Sequence, residues 1–275
     1  MREVFRMRLI YRRRKGIMLV CLIHMTLLTS VWLVNLAAAD QELSLEIKRA
    51  NVEIVVDGRF DEWVEIEWFP VSEGLPEVSH TRFNQLEDDG CTEPAGTART
   101  AADLSSLFAM QWDEKCLYLA AKVTDNVHVV GKAGGESGWY TRDGVSLFLD
   151  VPNDGDGGNW ISGDHAFSFI ADNDIGGWWR HGDETGQREV AMPDAVEYTV
   201  LLGDGGNYTL EAAIPMDLLG ELTPEWKPPF AGKNMGFFLL ISDPDGKQPD
   251  WGGQLIFGGD DDNDAGWADL ILVED

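Results

Sequence analysis

The chain has 275 residues, of which 21 are basic and 48 acidic, and its formal charge is −27. Residues 1–39 hold 7 of the basic residues and 1 of the acids, so residues 40–275 hold 14 basic and 47 acidic residues, a formal charge of −33. Such a surface repels DNA, RNA and anionic lipid, which bind to positive charge. The charge therefore argues against nucleic-acid partners and is compatible with neutral or cationic ligands, including divalent cations.

Residues 1–39 have the pattern of a secretory signal peptide. A basic segment, MREVFRMRLIYRRRK, is followed by an apolar stretch without formal charge, which ends in three alanines. Small residues at this place are typical of a signal-peptidase site. An uncleaved anchor is the alternative, because the apolar stretch is long enough to span a bilayer. We expect cleavage near Ala39, which makes residues 40–275 a secreted, periplasmic or cell-surface protein without further membrane contact.

The remaining cysteines suggest a disulfide. Cys21 lies inside the signal, so Cys91 and Cys116 are left, an even number in an oxidising compartment. We predict a bridge between these two residues, which would tie a polar loop to a core strand. Two buried free thiols are the alternative.

Residues 40–275 are predicted to form a single all-β domain. They contain no Pro/Ser-rich linker, no clear repeat and no change of composition. Short apolar stretches alternate with Gly, Asp and Pro turns, and helical signals are sparse, with one helical turn expected at 215–220. The predicted strands are 52–56, 107–112, 116–123, 145–151, 165–170, 197–202, 208–214, 236–242 and 267–273. This pattern is typical of an antiparallel β-sandwich of the jelly-roll or immunoglobulin-like kind.

Six segments occur in an order that matches a known family. They are VVDGRFDEW (55–63), LFAMQWDEKCLYLAAKVTDN (107–126), RDGVSLFLDV (142–151), YTLEAAIPMDLLG (208–220), MGFFLLISDPDG (235–246) and WADLILV (267–273). In this order they resemble carbohydrate-binding module family 9, within the DOMON-like β-sandwich group. The resemblance implies a non-catalytic, lectin-like sandwich that binds a poly- or oligosaccharide, often holds structural calcium, and supports polysaccharide degradation beside a separate glycoside hydrolase.

Tryptophans in Gly- and Asp-rich segments are candidates for sugar binding. Aromatic rings stack on the apolar faces of a sugar, and charged or amide groups bind its hydroxyls. An exposed aromatic side chain in a surface loop suggests ligand binding. The alternative is that each of these rings packs as a lid over the end of the sandwich. The predicted carbohydrate-binding residues are Trp139, Tyr140, Arg142, Trp178, Trp179, Arg180 and Trp251, and Trp160 lies in a similar loop.

The family resemblance adds position-specific expectations. It implies a stacking aromatic just before the strand that follows Asp143, which is Tyr140 here. The family's acid and base on the next two strands correspond to Ser146 and Ser168, and the last ring of its aromatic clamp corresponds to Trp267.

Two acidic loops are candidates for calcium. Calcium binds six to eight oxygen ligands, largely from carboxylates and carbonyls in flexible loops. Neither loop has the full EF-hand spacing, and solvated acidic turns are the alternative. The predicted ligands are Asp150, Asp154, Asp156 and Asn159 in the first loop and Asp260, Asp262 and Asp264 in the second.

Other functions are less well supported by the residues. The sequence has no Gly-x-Ser-x-Gly, His-Glu-x-x-His or phosphate-loop motif, so we do not expect an enzyme. One alternative is a DOMON-like electron carrier that binds haem b through Met110, Met192 or Met235 together with His128 or His165. Covalent haem is excluded by the lack of Cys-x-x-Cys-His. A cell-surface interaction module without a small ligand is the third possibility.

Overall fold

The computed structural model describes residues 43–81, 100–131, 138–139, 142–155, 157, 160–223, 226–244, 253–259 and 263–274. Within them lie fourteen strands, one α-helix and a 3-10 turn. The strands are β1 (Ser44–Arg49), β2 (Phe69–Val71), β3 (Val78–Thr81), β4 (Leu104–Trp112), β5 (Cys116–Asp125), β6 (Gly144–Asp150), β7 (Asp164–Ile170), β8 (Trp178–Asp183), β9 (Gly186–Ala191), β10 (Glu197–Leu202), β11 (Tyr208–Pro215), β12 (Asn234–Asp243), β13 (Gly253–Phe257) and β14 (Ala268–Val273). The helix α1 is Met216–Glu221 and the 3-10 turn is Asp264–Gly266.

The described strands hydrogen-bond in the order β10-β11-β5-β4-β1-β14-β12-β6-β7-β8-β9, while β2 pairs with β4 and β13 pairs with β12 and β3. Strand β1 is parallel to both β14 and β4, and it joins two layers whose other pairs are antiparallel. We call β10, β11, β5, β4 and β2 the first sheet. The second sheet comprises β9, β8, β7, β6, β12, β14, β13 and β3.

The two sheets face each other across one core. The ring of Phe108 in β4 lies 4.9 Å from that of Phe257 in β13, and the ring of Phe169 in β7 lies 5.3 Å from that of Tyr198 in β10. Because side chains alternate along a strand, every second residue of each central strand joins this core. The predicted all-β sandwich is therefore confirmed.

One predicted strand is wrong. Residues 52–56 form no strand, and β1 precedes them in the chain. The segment 50–68 instead lies over the outer face of the first sheet, where Trp63 is 3% exposed. Its indole Nε1 donates to Glu211 Oε1 at 2.6 Å, and this buried hydrogen bond fixes the covering segment to β11.

The hairpin of β8 and β9 was missed because its Gly-rich, polar sequence is typical of a loop. Gly186 follows the turn with φ at +108°, a conformation that other residues rarely adopt. Asp183, the last residue of β8, stabilises the turn, because its Oδ1 accepts a hydrogen bond from Thr185 N at 2.7 Å. Since Trp178 and Trp179 are neighbours in a strand, their side chains point to opposite faces of the sheet.

The helical turn predicted at 215–220 is confirmed as α1, which buries Met216, Leu218 and Leu219. Among the described residues, no helix combines the length and the apolar character needed to cross a membrane.

The predicted disulfide is not formed at its described end. Cys116, the first residue of β5, is half-buried and carries a free thiol. Burial is the main reason that the pKa of this thiol is raised, and a raised pKa makes a thiol less reactive. Cys91 lies outside the described residues.

Candidate functional site

An apolar patch lies on the outer face of the second sheet, away from the core. Phe148 of β6 and Phe238 of β12 are cross-strand neighbours, and their rings stack with centroids 3.9 Å apart. Ala166, Leu240 and Ile256 are buried beside them. The solvent side of an antiparallel sheet is usually polar, so an apolar patch there requires a cover or a ligand.

Three tryptophans cover this patch. The ring centroid of Trp267 lies 4.9 Å from that of Phe238, and those of Trp139 and Trp160 lie 6.2 and 6.1 Å from that of Phe148. The three tryptophans precede β14, β6 and β7, so separate connecting segments converge here. Trp160 is buried, whereas Trp139 and Trp267 remain half-buried and present part of their rings outward. We call these five rings the outer aromatic cluster.

A guanidinium group lies among these rings. Arg180 of β8 is 8% exposed, and its Cζ lies 4.0 Å from the ring centroid of Trp160, 5.2 Å from that of Phe148 and 6.0 Å from that of Trp139. Cation–π attraction holds a cation in such a position. The guanidinium brings N–H donors to an aromatic wall, which is the combination that small polar ligands with apolar faces require.

Two serines occupy the positions at which the family resemblance places an acid and a base. Ser146 and Ser168 are buried cross-strand neighbours on the same outer face, and their hydroxyl oxygens lie 2.9 Å apart. Arg180, on the strand beyond Ser168, brings a cation to this face instead. The positive charge on this outer face therefore belongs to a residue of β8 and not to one of β7.

The predicted sugar-binding residues fall into separate places. Trp139 belongs to the outer aromatic cluster, and the guanidinium of Arg180 lies among its rings. Arg142 is buried, and its Cζ lies 5.5 Å from the ring centroid of Trp178, outside that cluster. Tyr140 and Trp251 lie outside the described residues.

Trp179 lies in the core, which corrects its expected location in a ligand-binding loop. It is 8% exposed, and its ring is nearly parallel to those of His165 and Phe167, with centroids 5.9 and 6.1 Å away. Its Nε1 donates to His165 Nδ1 at 3.3 Å. Because β8 directs this ring inward, we do not include Trp179 in the proposed site.

The buried imidazole beside Trp179 predicts a pH dependence. Burial lowers the pKa of His165 from 6.5 to about 3. Below pH 6.5 the unfolded chain therefore binds a proton at His165 that the folded chain does not. As the pH decreases below 6.5, this difference lowers the free energy of unfolding by about 1.4 kcal/mol per pH unit. Urea unfolding of the wild type and of His165→Gln between pH 4.5 and 6.5 measures this slope. The variant should have the shallower slope, and parallel curves would contradict the buried neutral imidazole.

The two predicted acidic loops meet in one cluster. One carboxylate oxygen each from Asp150, Asp164 and Asp264 lies within 4.8 Å of the others, and all three residues are buried. Backbone amides orient the group: Gly155 N donates to Asp150 Oδ2 at 3.1 Å, and Gly157 N donates to Asp264 Oδ1 at 2.8 Å. Burial raises the pKa of Asp150 to about 6. The set consists of hard oxygen donors, which fit calcium.

The composition of this cluster differs from the prediction in two respects. Asp164 was missed because it begins β7 and belongs to neither acidic loop. Asp154 is exposed, although its charge contributes to the raised pKa of Asp150. The other predicted ligands, Asp156, Asn159, Asp260 and Asp262, lie outside the described residues.

Three of the five proposed haem ligands are buried in the core. Met110 and Met235 pack in the core with exposures of 2% and 0%, and His165 stacks between core aromatics. Met192 packs against the core from the second sheet. This arrangement does not favour the haem alternative.

Comparisons with known proteins agree with this architecture. The sequence matches the family described as "Carbohydrate family 9 binding domain-like" over residues 82–270. No curated protein is significantly similar to it. A carbohydrate binding module family 9 from Caldicellulosiruptor kristjanssonii in complex with cellotriose is similar in structure, with a TM-score of 0.57, 18% identity, and coverage of 84% of this chain and 94% of that one. A carbohydrate binding module family 9 from the same organism in complex with glucose has the same TM-score and identity. The match covers 84% of this chain and 96% of that one.

These structural likenesses show the fold, and the family match spans more than half of the sequence. With its β-sandwich confirmed, this chain belongs to the carbohydrate family 9 binding domain-like family.

Proposed function

We propose that this chain is a secreted, non-catalytic carbohydrate-binding protein whose site is the outer aromatic cluster. The observation that carries the proposal is the position of the Arg180 guanidinium, 4.0 Å from the ring centroid of Trp160 and 6.0 Å from that of the part-exposed Trp139. Membership of a carbohydrate-binding family supports it, as do the sugars held by the two similar structures.

The chemistry of the cluster suits a neutral sugar. The part-exposed faces of Trp139 and Trp267 offer apolar surfaces for the C–H faces of a pyranose. Arg180 is positioned to donate hydrogen bonds to hydroxyl oxygens, and the buried floor of Phe148 and Phe238 excludes water from below. A site of this kind retains a polysaccharide without cleaving it, which suits a protein that acts beside a separate glycoside hydrolase.

A glycan array tests the proposal. The secreted protein, probed in excess calcium, is expected to bind a defined set of oligosaccharides, and titration calorimetry with cellotriose and glucose then measures the affinity. Binding to no glycan on the array and to neither sugar in the calorimeter would contradict it and would favour an interaction module without a small ligand.

We also propose that Asp150, Asp164 and Asp264 bind a structural calcium ion. The ion would connect the segment after β6, the start of β7 and the turn before β14. The last of these leads directly to Trp267, so the ion would hold the segment that carries this ring. Its role would be to position the loop, since none of the three carboxylates belongs to the outer aromatic cluster.

Removal of calcium is therefore expected to destabilise the protein. At a calcium concentration 100 times the Kd, binding adds about 2.7 kcal/mol to the free energy of unfolding, which a chelator removes. Asp264→Asn should show a smaller loss on chelation, whereas Asp217→Asn, at an exposed acid on α1, should behave like the wild type. Thermal unfolding with and without chelator measures the effect, and an equal response of Asp264→Asn and the wild type would contradict the assignment.

A further inference from the structure

A second row of side chains lies beside the outer aromatic cluster, on the same face of the second sheet. Trp178 of β8 is the cross-strand neighbour of Ser168 in β7, which in turn is opposite Ser146 in β6. We call these three residues the serine row. Side chains two residues apart in a strand point to the same face, and Trp178 and Ser146 are each two residues before Arg180 and Phe148. The serine row therefore runs beside the row from Arg180 to Phe148, about 7 Å from it.

The serine row combines an aromatic ring with uncharged hydroxyls. Trp178 is half-buried, so part of its ring is accessible to a ligand. The hydroxyl oxygens of the buried Ser146 and Ser168 lie 2.9 Å apart and form a polar floor, as phenylalanines form an apolar one in the neighbouring cluster. Each hydroxyl has one donor and two acceptor positions, so this one contact leaves further hydrogen-bonding capacity in the pair. An apolar ring beside such groups is the combination that a sugar requires.

A buried arginine connects Trp178 with the segment that carries Trp139. The Cζ of Arg142 lies 5.5 Å from the ring centroid of Trp178, and its backbone N donates to Trp139 O at 3.1 Å. The guanidinium is also a donor to Val130 O. Arg142 is 1% exposed, so cation–π attraction fixes the Trp178 ring from within the protein. The accessible part of the ring is thereby held in place beside the outer aromatic cluster.

We propose that the serine row is a second subsite for a neutral oligosaccharide, in which Trp178 stacks on the sugar unit next to the one in the outer aromatic cluster. This inference rests on the proposed function. The bound chain would lie along β8, because Trp178 and Arg180 are successive outward residues of that strand. The uncharged serines and the formal charge of −33 on residues 40–275 both favour a neutral chain over an anionic one. A protein with both subsites binds oligosaccharides in preference to monosaccharides.

Titration calorimetry with glucose and cellotriose tests this subsite, or with the monomer and trimer of whichever glycan the array identifies. In the wild type the Kd for the trimer is expected to be at least about tenfold lower than that for the monomer, since one further aromatic contact typically has an effect of this size. In Trp178→Ala, and in Trp178→Leu, which keeps apolar bulk, this ratio should fall about tenfold, to near unity. Should one variant fail to fold, the other gives the ratio.

The ratio separates a ligand contact from a structural effect. If Trp178 only supported the neighbouring rings, its loss would weaken the binding of both sugars equally and the ratio would not change. Trp68→Ala, which removes a half-buried tryptophan from the first sheet, is the matched control and should keep the wild-type ratio. A wild-type ratio near unity, or an unchanged ratio in the folded Trp178 variants, would overturn the second subsite and leave the proposed function intact. Binding to no glycan would overturn both.

Discussion

Replacing Trp139 and Trp267 together with alanine is expected to weaken sugar binding severely. These are the part-exposed rings of the outer aromatic cluster, and they approach it from the segments before β6 and β14. A central aromatic contact is typically worth about 2 kcal/mol of binding free energy, and each 1.4 kcal/mol is about tenfold in Kd. The loss of both rings should therefore raise the Kd several hundredfold, which calorimetric titration with cellotriose would measure.

A tryptophan on the opposite side of the sandwich provides the control. Trp68 is also half-buried, but it packs over the first sheet, with its ring centroid 5.0 Å from that of Phe60. Trp68→Ala should bind the sugar as the wild type does. If the double variant binds with wild-type affinity, the outer aromatic cluster is not the site.

Trp179→Ala is expected to lower the free energy of unfolding by about 3–5 kcal/mol, the usual cost of removing a large aromatic from a core. Its ring stacks with those of His165 and Phe167 and donates a hydrogen bond to the imidazole. Trp178→Ala, one residue earlier, removes a half-buried ring from the outer face and should cost less than half as much. Urea unfolding of both variants measures the difference.

The comparison of these neighbours is informative because they are the same residue type in one strand. A small and equal loss in both variants would contradict the inward orientation of Trp179. A loss confined to Trp178→Ala would mean that β8 is turned over, which would also remove Arg180 from the outer aromatic cluster.

Most of the sandwich could be predicted from the sequence because its central strands are apolar and end at clear turns. The hairpin from β10 to β11 is an example, since Gly203 to Gly206 separate two alternating stretches. The predicted strand 52–56 failed because its apolar residues do not join a sheet: Ile54 packs over the outer face of the first sheet, whereas Val52 and Val55 are exposed. The hairpin of β8 and β9 failed because its glycines and charged residues resemble a loop.

The candidate site was only partly predictable, because residue types alone do not show which face of a strand a side chain occupies. Trp139 and Arg180 could be proposed from their residue types, but assigning Trp178 and Trp179 a shared role ignored that a strand separates neighbours onto two faces. The clustering of the buried acids could not be predicted from the sequence. Asp125, Asp143 and Asp243 are distant in the sequence and come together only because their strands end at one edge of the sandwich.

The most direct test is an NMR titration of tryptophan-labelled protein with cellotriose, in which the indole N–H signals are followed. Binding at the outer aromatic cluster predicts shifts for Trp139, Trp160 and Trp267. The signals of the buried Trp63, Trp112 and Trp179, which lie in the cover of the first sheet or in the core, should stay in place. Shifts at other tryptophans alone, or no shift at saturating sugar, would contradict the proposed site.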